Sequence, residues 1–236
     1  SLRIPTPRTK KAMPETNIGL FPDVGGGWFL SRCPGAIGED LALTGEVIGA
    51  TDAVVAGLAD GVLPEVELTD AWEQLATQGA AAVTSLRDRL AGQHESADAA
   101  LAKHRPEIDR FFSLPDVPTI VRALEGEGSE WASRTAAVLR KRSPLMLHVV
   151  LEQLRRARDM NLADDLRMER DMVRHCFHLR PGAASETVEG IRALAVDKDH
   201  APRWHPPRIE DVTAEMVAPF FDSPWPAHAH PLRELT

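Results

Sequence analysis

The sequence predicts an α/β chain in which a turn-rich opening with short strands gives way to helices. Two observations carry this. Residues 1–65 are punctuated by Pro5, Pro7, Pro14, Gly19, Pro22 and Gly25-Gly26-Gly27, with short apolar runs between them, the mark of brief elements joined by turns. From about Val66 onward the sequence is helical in character, and Leu147, Val150, Leu151 and Leu154 recur at spacings of three and four, the repeat of one helix face. The chain divides accordingly into residues 1–65, a helical segment over 66–142, and a helical region over 143–236 that ends in an extended tail.

Residues 1–7 read as a short strand, ended or kept at an edge by Pro5 and Pro7. Residues 12–15 are extended. Asp23 caps a helix that begins past the three glycines and enters Trp28-Phe29-Leu30. A second helix covers about 36–43 and stops at Gly45. Thr51 caps a third over 52–56, and residues 59–63 form a short strand closed by Pro64. Ser143 followed by Pro144 is a hydroxyl cap with proline at the first helical position. Asn161 opens the next helix. Leu162, Leu166, Val173 and Phe177 are its expected buried stripe, and Pro181-Gly182 its end. The tail from His205 onward carries one short helix over about 214–221.

Hydrophobic residues make up 43% and charged residues 26% of the 236, ordinary proportions for a soluble globular protein with a sizeable core. No apolar run reaches the roughly 18 residues that a membrane-spanning helix needs, so no membrane partner is expected. The net charge of −8 argues against nucleic acid, whose binders carry a basic excess. It still allows an anionic ligand held by a local cluster of Lys and Arg. Cys33 and Cys176 lie far apart and build neither a disulfide framework nor a metal set. They fit a reducing, cytoplasmic setting and are expected to be buried and inert.

The run from Met13 to Gly27 is the richest in chemistry. Glu15 and Asp23 lie eight residues apart in a stretch otherwise apolar and rich in Gly and Pro. Gly19 and Pro22 oppose a continuous helix between them. The chain therefore turns, and a turn can bring both acids to one pocket. Met13, Ile18, Leu20 and Phe21 can desolvate them, which raises a carboxyl pKa toward the working range of a general acid or base. Two carboxyls in different surroundings can divide those roles. Spacing alone leaves a plainer alternative open, with Asp23 a helix cap and Glu15 a solvated strand-end residue. Gly25 and Gly26, at a helix start, are candidate substrate-binding positions through their N–H groups, although the spacing is not that of a nucleotide loop.

The run Met13-Pro14-Glu15-Thr16, Ile18-Gly19-Leu20-Phe21-Pro22-Asp23-Val24-Gly25-Gly26-Gly27 and Phe29-Leu30 resembles the signature of 3-hydroxyisobutyryl-CoA hydrolases, in the crotonase superfamily. Leu41 to Gly45 and Ala53 to Gly57 resemble the superfamily too. Glu189 to Ala193, Asp197-Lys198-Asp199, Pro202 and Trp204 match the family's closing pattern. Two positions depart from it: Glu186-Thr187 stands where Asp-Phe is more usual, and Trp28 where tyrosine is.

The resemblance implies a crotonase-type core of strand–strand–helix turns wound into a spiral, of which this chain holds the last part, followed by a mainly helical C-terminal region. It implies an acyl-CoA substrate and hydrolysis of a 3-hydroxyacyl-CoA thioester, above all 3-hydroxyisobutyryl-CoA in valine catabolism. Enoyl-CoA hydratase or isomerase chemistry and a non-catalytic partner chain are the alternatives. It places Glu15 and Asp23 at the family's two catalytic carboxylates. Glu15 then attacks the thioester carbonyl or activates water, and Asp23 holds the water, the substrate hydroxyl or the leaving thiol. No cofactor is implied beyond the coenzyme A of the substrate itself. Trimers are frequent in the superfamily, which leaves a homo-oligomer open. The family's glycine-rich oxyanion turn falls before the position of Ser1, so a further N-terminal segment is expected, and residues 1–236 alone are expected to be inactive.

Other candidates are plainer. Arg3, Arg8, Lys10 and Lys11 form a basic cluster near the acids, read first as a solvated face and second as a contact for coenzyme A phosphates. Arg155, Arg156 and Arg158 read as solvated. His175 with His178, and His228 with His230, lack the further ligands of a zinc site, so no metal is expected.

Overall fold

The computed structural model describes residues 2–93 and 98–236. Among them, strand is confined to two short pieces, β1 (Lys10–Lys11) and β2 (Ile48–Gly49), paired antiparallel with Lys10 opposite Gly49 and Lys11 opposite Ile48. The strands expected over residues 1–7 and 59–63 do not form a ladder. The two segments do lie side by side: the Asp60 N–H donates to the Arg3 carbonyl at 2.8 Å and the Leu63 N–H to the Pro5 carbonyl at 3.0 Å. Pro5 and Pro7 have no N–H to return, which is why the pairing stops there.

Between the strands lie a 3-10 turn (Glu15–Ile18), α1 (Gly26–Leu30) and α2 (Ile37–Thr44). Every residue of α2 is buried. It ends where expected, at Gly45 with φ 65°, whose N–H returns to the Leu41 carbonyl. Asp23 does not cap α1: the N-cap is Gly25, with no side-chain bond to the first turn. Helix α3 (Ala50–Val55) starts before Thr51, so that hydroxyl lies inside the helix rather than capping it.

Among the described residues six helices follow: α4 (Leu68–Gln78), α5 (Ala80–Leu90), α6 (Ala100–Lys103), α7 (Arg105–Phe112), α8 (Val117–Glu127) and α9 (Glu130–Leu139). Helices α4 and α5 pack on each other, and Leu63, Ala71 and Leu86 form a small cluster there, apart from the main core. Helix α10 (Pro144–Ala157) is capped as expected, the Ser143 hydroxyl accepting from the Met146 N–H at 3.2 Å. It packs against α1, α2 and α8. The main core runs from Phe21 through α2, α8 and α10 to Phe220.

Helix α11 (Leu162–His178) opens at Asn161, whose side chain accepts from the Asp164 N–H at 2.9 Å. Its buried face matches the expected one only in part: Leu166 and Val173 are half-buried, Val173 against the main core. Leu162 and Phe177 are exposed, and the buried stripe is Asp165, Met168, Glu169, Met172 and Cys176. The chain closes with α12 (Glu186–Ile191), a π turn (Arg192–Val196), α13 (Ala214–Val217) and a 3-10 turn (Ala218–Phe221), the short helical piece expected in the tail.

Candidate active site

A cavity of about 500 Å³ opens between β1, the 23–30 segment and β2. Met13, Leu30, Leu41, Ile48 and Leu58 supply its apolar wall. Asp23 and Glu46 supply carboxylates, and Arg3, Lys10 and Lys11 a basic side. Asp23 and Gly26 line it, whereas Glu15 and Gly25 sit outside the wall.

Glu15 opens the 3-10 turn, which Gly19 closes with φ 67°. Only glycine fits there. The conformation is left-handed, and a Cβ would collide with the Glu186 carbonyl of α12. Gly190 of α12 lies equally close to the Ile18 carbonyl. The Thr187 hydroxyl donates to the Gly19 carbonyl at 2.6 Å. From the other side, Thr16 Oγ1 donates to the Leu43 carbonyl at 3.2 Å, and Arg142 Nη1 to Asn17 Oδ1 at 2.7 Å. Residues more than 100 positions away therefore hold the turn that aims Glu15.

Burial raises the Glu15 pKa above its ordinary 4.5, its own backbone hydrogen bond opposes this, and the charge of Asp23 adds to the rise. Glu15 Oε2 is buried and has no hydrogen-bond partner among the described residues. A buried polar atom without a partner calls for a reason, and a waiting substrate or water is one.

The Asp23 loop is held separately. Gln153 of α10 donates from Nε2 to the Pro22 carbonyl at 2.8 Å. Glu169 of α11 accepts the Gly25 N–H at 2.8 Å and the Gly27 N–H at 3.2 Å. Asp165 accepts the Trp28 N–H at 3.2 Å. The Gly26 N–H turns back to the Asp23 carbonyl at 2.9 Å. The three glycine amides are thus already engaged within the protein. An anion would find these N–H groups already taken. Gly26 meets the cavity through its bare Cα, and a Cβ there would press on Pro22 and Met13.

Arg3 forks onto Asp60 at 2.9 Å, Arg8 pairs with Glu65 at 2.9 Å, and Lys11 Nζ donates to the Leu58 carbonyl at 3.2 Å. Arg158 is not merely solvated: it pairs with the buried Glu39. Cys33 and Cys176 are free and buried, and burial pushes both thiols up to about 12, which leaves no thiolate at neutral pH. Among the described residues no group of His, Cys, Asp and Glu is placed to hold a metal ion, and no helix is long and apolar enough to cross a membrane.

A family model described as enoyl-CoA hydratase/isomerase matches residues 1–221. The chain belongs to the enoyl-CoA hydratase/isomerase family. It is 37% identical over 228 residues to an Arabidopsis thaliana protein named probable 3-hydroxyisobutyryl-CoA hydrolase 3, covering 93% of this chain and 60% of that one. It is 35% identical over 231 residues to small ribosomal subunit protein mS47 of Arabidopsis thaliana, covering 93% of this chain and 55% of that one. A carnitinyl-CoA dehydratase of Mycobacterium thermoresistibile superimposes with a TM-score of 0.78 at 34% identity, over 94% of this chain and 62% of that one. The fold is therefore the crotonase-type α/β fold of this family, and the chain spans little more than half the length of these proteins.

Both departures from the family pattern acquire a place in this site. Glu186 accepts from Ser143 Oγ, and from the His205 N–H at 2.7 Å, while Thr187 holds Gly19. They lie directly behind the Glu15 turn. The Trp28 ring lies under the Arg32 guanidinium at 4.2 Å. Sequence reasoning missed Gln153, Asp165, Glu169 and Arg142. The signal for two of them was present: Asp165 and Glu169 share one helical stripe with Met168, Met172 and Cys176, a face that apolar spacing marks as inward.

Proposed function

We propose that this chain supplies the two carboxylates and one wall of the acyl-CoA site of a 3-hydroxyacyl-CoA thioester hydrolase, with 3-hydroxyisobutyryl-CoA as the preferred substrate. The observation that carries this is the nearness of Asp23, in the cavity wall, to Glu15, whose pKa is raised first by burial and last by the charge of Asp23, and whose Oε2 has no hydrogen-bond partner among the described residues. Glu15 takes a proton from water or itself attacks the thioester carbonyl. Asp23 holds the water, the substrate hydroxyl or the departing sulfur. The C–S bond breaks, a C–O bond forms to water or to Glu15, and the thiolate of coenzyme A takes up the proton that water gives up; where Glu15 attacks, water then cleaves the resulting anhydride, releasing the acid and restoring the Glu15 carboxylate. The apolar wall suits a small branched acyl group, and Arg3, Lys10 and Lys11 on the basic side suit coenzyme A phosphates. The two free thiols fit a reducing compartment.

A second reading, hydration of an enoyl-CoA, is favoured by the structural neighbour named as a dehydratase. The same two acids would then place water across a carbon–carbon double bond. A non-catalytic role is favoured by the relative named as a ribosomal protein. Assaying the complete protein on 3-hydroxyisobutyryl-CoA and on crotonyl-CoA separates all three. Free-thiol release from the first is the expected result. Loss of crotonyl absorbance without thiol release points to the hydratase, and turnover of neither to the non-catalytic role.

A further inference from the structure

The loop that carries Asp23 is strained and is fastened from behind. Val24 has φ 59° and Gly25 φ 83°, two consecutive left-handed residues. For a β-branched residue this conformation is a true outlier. Val24 is 82% exposed, so its own packing does not keep it there. Such strain persists only where the surroundings over-determine it.

The surroundings here are one face of α11 and one side chain of α10. Glu169 takes the Gly25 and Gly27 N–H groups, Asp165 takes the Trp28 N–H, and Gln153 donates to the Pro22 carbonyl. These bonds bracket residues 23 and 24 on both sides. Gly27 is what lets them converge: a Cβ there would lie 2.7 Å from Asp165 Oδ1 and 2.9 Å from Gln153 Nε2. Asp165 Oδ1 is buried and has no partner among the described residues, yet it sits one helical turn from a second buried carboxyl. A proton on Glu169 would give it one.

We propose that Glu169, with Asp165 and Gln153, positions Asp23 by fixing the Val24–Gly25 turn, and that Glu169 and Asp165 share one proton as part of that clamp. The proposal rests on Asp23 being a site carboxylate. Burial raises the pKa of both α11 carboxyls, in agreement with one of them remaining protonated. Neither touches the cavity wall, so their action passes through the loop.

The experiment compares Glu169→Gln, Glu169→Ala and Asp23→Asn in the complete protein, on 3-hydroxyisobutyryl-CoA, with kcat and KM measured separately. Hydrogen exchange is followed at the amides of Gly25, Gly27 and Trp28. Glu169→Ala should lower kcat about a hundredfold, the scale of a misplacement of about 1 Å, with KM within about twofold and the three amides exchanging faster. Glu169→Gln keeps an acceptor for the loop and supplies a neutral N–H donor for Asp165. With a single acceptor oxygen it keeps only one of the two loop bonds, so it should restore part of the turnover and the protection of one of the Gly25 and Gly27 amides. If Glu169→Ala does not fold, Gln153→Leu removes a single loop bond and should reproduce the same split in milder form. Normal kcat with unchanged protection in Glu169→Ala overturns the clamp. Equal losses in the Gln and Ala variants overturn the shared proton. Normal turnover of Asp23→Asn overturns the role of Asp23 and the positioning claim with it, while the exchange data alone still judge whether α11 holds the loop.

Discussion

At the scale of single residues, the two acids of the proposed site lie in unlike surroundings. Glu15 is half-buried with an unpartnered oxygen, and Asp23 stands in the cavity wall. Replacing either by its amide keeps shape and removes ionisation. Glu15→Gln and Asp23→Asn should each lower turnover by about two orders of magnitude or more, the usual range for a positioned acid or base. The melting temperature should move little, since among the described residues neither side chain makes a bond that ties two elements together. Parallel thermal melts and thiol-release assays check both halves of this expectation. The plainer alternative for Asp23, a helix cap, is excluded by the geometry at Gly25.

At the scale of elements, α12 is the clamp on the Glu15 turn. Its N-cap Ser185 accepts the Val188 N–H at 3.2 Å and donates to the Cys176 carbonyl of α11 at 2.5 Å. The second of these hydrogen bonds ties the helix behind the Glu15 turn to the helix that holds the Asp23 loop. Thr187→Val removes the bond to the Gly19 carbonyl while keeping shape. It should cost about 1 kcal/mol in denaturant unfolding, the usual net worth of one hydrogen bond, and lower kcat more than it raises KM. Caps of this kind were legible in advance at Ser143 and Asn161, because a cap is a local event within four residues. The face of α11 was legible only in part. Leu162 and Phe177 looked inward by residue type alone, whereas the loop amides 25–28 select Asp165 and Glu169.

At the scale of the whole molecule, buried carboxyls give stability a pH dependence of definite sign. Asp40 on α2 is almost fully buried, and its pKa is pushed up from 3.8 to about 8 by burial and, second, by the charge of Glu46. Between those two values the folded chain keeps a proton that the unfolded chain releases, so stability falls as pH rises through that window. Glu15, Glu39, Asp165, Glu169 and Glu186 shift in the same direction. Paired carboxylates such as Glu125 beside Arg140, and Glu189 beside Arg192, are lowered, and their contribution is lost as pH falls through the acid range. Stability should therefore peak at mildly acidic pH and decline toward pH 8. Asp40→Asn should flatten the decline on the alkaline side. Melting temperatures across the range from about pH 4 to 9 test this, and a wild-type profile that rises toward pH 8 would overturn it.

The sequence by itself determined the helical character of residues beyond 66, the caps at Ser143 and Asn161, the stop at Gly45 and the two acids of the Met13–Gly27 run. Each rests on local stereochemistry or on a pattern within a few positions. Tertiary structure alone decided that residues 59–63 lie beside 3–5 without forming a ladder, and that the Gly25 and Gly27 amides face inward to α11 rather than outward to a ligand. It also decided that Thr187 and Arg142 reach back across the chain to hold Glu15's turn. The physical reason is common to all three. A backbone N–H or carbonyl takes whichever partner packing brings within about 3 Å, and nothing in the order of residues names a partner so distant along the chain.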